Sequence, residues 1–148
     1  MVVPHFFQSN EHTCGAACLQ MLLAALGFPY DEATIAHRCS VTTLGCTIQD
    51  LVHGAQTLGV RAELLPVFGE PAAIATLSKQ APFLAMIDLA SLHGGPMFQW
   101  HFVIPLELSQ GQVLFHDPAD GPDCRAALAD FLAAWATAGY RGVRVWIP

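Results

Sequence analysis

The sequence predicts one α+β domain, with helices first and a mostly antiparallel sheet after them. Three observations lead there. The early part of the chain holds one long apolar run and two shorter runs opened by capping residues. The later part breaks into short strand-like runs separated by Gly, Pro and Ser. Strand and helix patterns do not alternate regularly, which argues against a βαβ fold. At 148 residues the chain is the size of one domain and can bury an ordinary core.

Each element has a local reason. CGAACLQMLLAALG, from Cys14 to Gly27, reads as a helix with a wide apolar face, stopped by Gly27 and Pro29. Asp31 can N-cap a second helix, EATIAHRC. Thr47 with Asp50 forms a possible capping box for IQDLVHGAQTL, which Gly59 ends. VRAELLP alternates like a strand, and Pro71 opens a short helix to about Gln80. PFLAMIDL, WHFVIPL and VLFHD read as strands, with SQGQ as a hairpin turn between the last two. DPADGPD reads as a loop, LADFLAAWATAG as a helix closed by Gly139, and GVRVWI as a last strand. The helical half is expected over about residues 1–59 and the sheet half over about 60–148. Pro105 cannot donate to a ladder, so its strand should end there or lie at an edge.

Composition excludes several function classes. Apolar residues make up 53% and charged residues 12%, against about 25% charged in an average chain, so disorder is excluded. Net charge is −6 and the six cations are scattered, so neither nucleic acid nor a polybasic membrane contact is expected. The N-terminus, MVVPHFFQSNEHT, lacks the cationic and long apolar regions of a signal peptide. Five cysteines without a secretion signal suggest reduced thiols in the cytoplasm.

Cys14 opens the long helix, where the positive end of the helix dipole favours a thiolate. A free Cys is also commonly a small buried hydrophobe, and position alone leaves both readings open. Gly15 beside it would let a substrate carbonyl approach. Gln8, six residues upstream, has an amide that could donate to a developing oxyanion. A thiolate nucleophile needs a base, and that base an orienter. His101 sits in a strand-like run between Trp100 and Phe102, held among aromatics. His12 is too close to Cys14 in sequence; His37 and His53 read as helix-surface or packing residues, and His5 and His93 fall in loops. Asp117 ends the neighbouring strand of the hairpin, where it could accept from His101, although Asp-Pro also simply opens turns. Cys14/Cys18 and Cys39/Cys46 lack zinc-site spacing, so no metal is expected. No phosphate loop and no G-x-S-x-G elbow occurs.

Together, QSNEHTCGAACLQMLLAALG, TTLGCTIQDLVHGAQTLGVRAELL, HFVIP, VLFHDPADG and DFLAAW resemble the bacteriocin-processing cysteine peptidases. The resemblance runs from Gln8 to about Trp135. It implies a papain-like fold and cleavage after a Gly-Gly pair in leader peptides, commonly by a cytosolic domain of peptide-exporting ABC transporters. By position it implies Cys14 as nucleophile, His101 as general base and acid, Asp117 as orienter and Gln8 as oxyanion donor, with no cofactor. The partners implied are a precursor peptide with its leader and an ABC transporter. LASLHGGPMFQ is longer than the family pattern, and Pro105 departs from it. No Walker A motif or spanning helix follows, so a free-standing relative or an excised domain is expected. Two other readings stay open: a thiol acyl or peptidyl transferase or amide hydrolase on this scaffold, and a module that binds leaders without cutting. Trp100, with Met97 and Phe98, could wall the cleft at the residues before the cut.

Overall fold

The computed structural model describes residues 2–148. The first helix, α1 (Cys14–Ala25), buries nearly every residue from Gly15 to Leu23. Gly27, at φ +90°, lets its own N–H reach Ala24 O and that of Phe28 reach Leu23 O, a Schellman ending. Asp31 caps α2 (Glu32–Arg38) by accepting the Thr34 N–H at 2.8 Å. The expected capping box opens α3 (Ile48–Thr57), with both Thr47–Asp50 bonds made. There follow β1 (Arg61–Leu64), α4 (Glu70–Lys79), β2 (Leu84–Asp88), α5 (Ala90–His93), β3 (Trp100–Ser109), β4 (Gln112–Asp117), β5 (Gly121–Ala127), α6 (Leu128–Thr137) and β6 (Gly142–Trp146).

The six strands form one sheet in the order β1-β6-β2-β3-β4-β5, and every pair is antiparallel. This is the expected α+β class, with the N-terminal helices packed on an antiparallel sheet. Successive β3 side chains serve two cores. Phe102 and Ile104 join Leu19, Leu23 and Leu51 of α1 and α3, while Val103 joins Leu77, Phe131 and Trp135 of α4 and α6. Alternation along a strand is what sends neighbours to opposite faces. Gln110 and Gly111 both have positive φ, so the β3–β4 hairpin closes in the manner of a type I′ turn.

Three expectations are corrected. Pro105 neither ends its strand nor sits on an outer strand: β3 runs on to Ser109. Its pairing with β2 is confined to Trp100–Val103, so Pro105 lies beyond that ladder and next to a bulge in the β4 ladder. Only part of DPADGPD is loop, since Gly121–Ala127 forms the edge strand β5. Gly, Pro, Asp and Ala are poor strand formers, so the sequence concealed it, and an edge tolerates Pro122. Within LASLHGGPMFQ lies α5, so His93 ends a short helix rather than falling in a loop, and the loop after it is clasped by Asp88. That buried carboxylate accepts the N–H groups of Ala90, Phe98 and Gln99 at 3.0–3.2 Å.

Candidate active site

Cys14 enters through the turn before α1. Asn10 organises that turn: its carbonyl accepts from the Thr13 hydroxyl at 3.1 Å, and its side chain accepts the His12 N–H at 3.2 Å. The Thr13 hydroxyl is thereby turned back, and no side chain caps the first turn of α1. The uncapped amides leave positive potential where Cys14 sits.

His101 and Asp117 meet across the hairpin. Ile104 opposes His116, so the ladder sets His101 diagonally from Asp117 on one face. His101 Nε2 lies 2.7 Å from Asp117 Oδ1, which also accepts the Ala119 N–H at 2.8 Å. Burial pushes the His101 pKa down, but hydrogen bonds to Asp117 and Cys14, and their charges, raise it to about 9. Burial pushes Asp117 up, but bonds from His101, Ala119 and Asp120 leave it below the usual carboxylate value. The other four thiols are held protonated, chiefly by burial. Cys39 and Cys46 rise to about 12, and Cys18 and Cys124 move in the same direction.

Beside Cys14 opens a cleft of about 700 Å³, walled by Gly15, Cys46, Met86, Trp100 and Phe102. Gly15 and Trp100, the two residues the sequence offers for substrate contact, both line this cleft. Packing gives a further reason for a glycine here. A Cβ on Gly15 would stand 3.1 Å from Phe102 and 3.2 Å from Cys46 Sγ, so the small residue permits close packing of α1 on its neighbours. Cys18 lies buried in the core one turn along.

Gln8 is half-buried and joins the two sides of the site. Its main-chain N–H donates to Pro118 O at 2.9 Å, just past Asp117, and its amide Nε2 donates to Asn10 O at 2.8 Å, just before Cys14. Gln8 Oε1 is buried with no hydrogen-bond partner among the described residues. His93, Asp117 and Asp120 have ligand atoms within 4.8 Å of one another. His93 and Asp120 are exposed and Asp117 is engaged by His101, so this group gives no argument for a resident metal. Sequence reasoning missed Asn10 and Asp88, whose importance lies in main-chain partners, and also missed His5 and His116. A polar side chain inside a tight turn was the available signal for Asn10.

The family model described as the peptidase C39 family matches residues 3–139. The chain belongs to that family. The C39 chain is also similar to solved structures. One is the peptidase domain of Streptococcus ComA, "a bi-functional ABC transporter involved in quorum sensing pathway", with TM-score 0.79 and 17% identity over 97% of each chain. Another is a double glycine motif protease from an AMS/PCAT transporter, in complex with the leader peptide, with TM-score 0.78 and 20% identity over 97% of this chain and 91% of the other. At those identities the likeness establishes the fold. No curated protein matches the chain at the sequence level. C39 membership supports a cysteine peptidase. Among the described residues no helix is long and apolar enough to cross a membrane.

Proposed function

We propose that this C39 chain hydrolyses a peptide bond with Cys14 as nucleophile, His101 as general base and acid, Asp117 as orienter of His101 and Gln8 as oxyanion donor. The observation that carries the reading is the 2.7 Å His101–Asp117 bond. It occupies Nε2 and leaves Nδ1 of the same ring for the thiol at the start of α1. With the proton of the Cys14–His101 pair already resting on His101, Cys14 Sγ attacks the scissile carbonyl. The carbonyl oxygen becomes an oxyanion, which the second N–H of the Gln8 amide can receive while the first holds Asn10. His101 returns the proton to the leaving amine, which departs and leaves a thioester on Cys14. His101 then takes a proton from water, hydroxide adds, and the acid product leaves as Sγ is expelled.

The substrate class proposed is a leader peptide of an exported precursor, cut after Gly-Gly, in the cytoplasm beside an ABC transporter. The cleft wall supports this: Met86, Trp100 and Phe102 are bulky next to Cys14, which suits substrate residues without side chains. The nearby surface is apolar, with Leu44, Met97, Phe98 and Trp100 exposed. Cations are few, so an amphipathic leader helix would bind through apolar area, at about 25 cal/mol per Å² less the cost of ordering it. Affinity should then depend weakly on salt.

The test is cleavage of a synthetic precursor with an amphipathic helical leader ending in Gly-Gly. Wild type should cut after the second Gly, and Cys14→Ala should not cut at all while remaining folded. Changing either Gly to Leu should stop cleavage. Equal cutting of short peptides with bulky residues at both positions would overturn the leader reading. An amine-transfer product in place of the acid would point to a transferase. Failure of iodoacetamide to label Cys14 faster than a free thiol, with no cleavage, would point to a binding module.

A further inference from the structure

The N-terminal segment is laced to the loop that carries Asp117. Three bonds do this, rising in step along both segments. His116 Nε2 donates to Val3 O at 2.8 Å, His5 Nε2 donates to Asp117 O at 2.7 Å, and the Gln8 N–H donates to Pro118 O at 2.9 Å. The His116 tautomer follows from its surroundings, because Nδ1 accepts the Asp123 N–H at 3.2 Å and the ring proton must therefore sit on Nε2. His116 is buried. The His5 ring packs edge-on against both Phe7 and His116, with centroids 4.6 and 5.4 Å apart. The lacing ends at Gln8, whose amide must be held to within a fraction of an ångström to meet an oxyanion.

We propose that His5 and His116 are positioning residues that set Gln8 relative to the Asp117 loop. Its consequence for turnover rests on the peptidase reading above; the lacing itself does not. Nothing in the chemistry requires an imidazole at position 5 for folding, since the side chain is only partly buried and its ring partner Phe7 is largely exposed. What the imidazole supplies is a donor to the main chain of Asp117. A misplacement of about 1 Å in catalytic geometry can cost on the order of 10²-fold, so a partial loosening should cost about tenfold.

The experiment uses His5→Phe, which keeps a ring for packing and removes the donor, and His5→Gln, which restores an N–H. The probe is the synthetic leader peptide ending in Gly-Gly, and hydrogen exchange of the Gln8 main-chain amide is followed by NMR. In His5→Phe, kcat should fall about tenfold with KM within about twofold, and Gln8 amide exchange should accelerate about tenfold while Tm changes little. His5→Gln should recover most of both. In a Gln8→Ala background, His5→Phe should add less than about a twofold further loss, because the two act as one unit. His116→Gln, which can accept and donate, should retain more activity than His116→Phe. A tenfold loss persisting in the Gln8→Ala background, or unchanged Gln8 amide exchange in His5→Phe, overturns the proposal. If wild type does not cut the probe, the peptidase reading fails. The exchange measurement then decides the lacing by itself: faster exchange upholds it and unchanged exchange sinks it.

Discussion

His101 Nε2 lies 2.7 Å from Asp117 Oδ1, and their side chains are only 7% and 2% exposed. A pair so enclosed is insulated from solvent screening, so each partner strongly sets the protonation of the other. Burial alone would favour neutral imidazole. The bonds and charges of Asp117 and Cys14 reverse that and hold the His101 pKa at about 9, above the ordinary histidine value of 6.5.

The alkaline limb of kcat/KM should therefore fall near pH 9, where His101 loses the proton destined for the leaving amine. Asp117→Asn removes the carboxylate that raises His101, so the limb should move to lower pH and kcat should drop. The same sign governs stability. A raised folded pKa means the native state binds the proton more tightly. That stabilisation is complete below about pH 6.5 and is lost as pH rises through about 9. Asp117, lowered in the fold, adds stability that is lost as pH falls below the usual carboxylate range. A pH–rate profile, with imidazole NMR titration of wild type and Asp117→Asn, checks both signs. A limb that stays in place in Asp117→Asn would remove Asp117 as the cause.

Gln8→Ala should lower kcat by about 10²–10³ with little change in KM, the usual cost of one oxyanion donor. The fold should tolerate it, since the Gln8 main-chain N–H keeps its bond to Pro118 O. Full kcat in Gln8→Ala would mean that backbone amides at the start of α1 hold the oxyanion by themselves.

The legible part of this molecule is the part whose signals are local. Asp31, Thr47 and Asp50 announce helix starts because a cap is a contact within three residues. The Gln110–Gly111 turn was readable for the same reason. The pairing of His101 with Asp117 could be suspected because a short hairpin brings its strands together, although the register could not be counted through a bulge at Pro105. Residues whose partners are distant main-chain groups left no trace. Asp88 holds N–H groups ten and eleven residues away, and His5 and His116 reach across more than a hundred residues. The strand β5 was hidden because its pairing with β4, rather than its own propensity, keeps it extended. The Gln8 side chain is legible as a donor, yet its tie to Pro118 runs through the backbone.

Asp88→Ala should loosen the rim of the cleft. It unpairs the N–H groups of Ala90, Phe98 and Gln99, and Asp88 is directly across from Trp100 in the sheet. A buried donor left unpaired costs about 1–3 kcal/mol, less where the loop can move and admit water. The loop between α5 and β3 contains Gly94 and Gly95, both at positive φ, so loosening should expose a cleavable segment there. Limited proteolysis should cut near Gly94–Gly95 faster than in wild type, and KM should rise more than kcat falls, because Trp100 walls the cleft without touching His101 chemistry. Unchanged proteolysis would show that the three bonds do not hold the loop.

Gly54→Ala should destabilise the domain although alanine is the better helix former. The helix gain is about 1 kcal/mol. Against it, a Cβ on Gly54 would stand 2.3 Å from Cys39 Sγ and 3.1 Å from both Arg38 O and Cys39 Cα. The sulfur is buried and two of the three contacts are backbone, so α3 must move away from the end of α2. Overpacking of this kind costs about 1–3 kcal/mol, so the net loss should reach up to about 2 kcal/mol. For a chain of this size that lowers Tm by several degrees, at roughly 2–4 °C per kcal/mol. Cys39→Ala in the same chain removes the sulfur contact but leaves the backbone ones, so it should restore only part of the loss. Thr47 and Ile48, at the start of α3, line the cleft, so the displacement should raise KM while kcat, set at Cys14, changes little. Thermal unfolding of the single and double variants measures the first claim and steady-state kinetics the second. A Gly54→Ala domain more stable than wild type would mean that α2 and α3 separate at no cost.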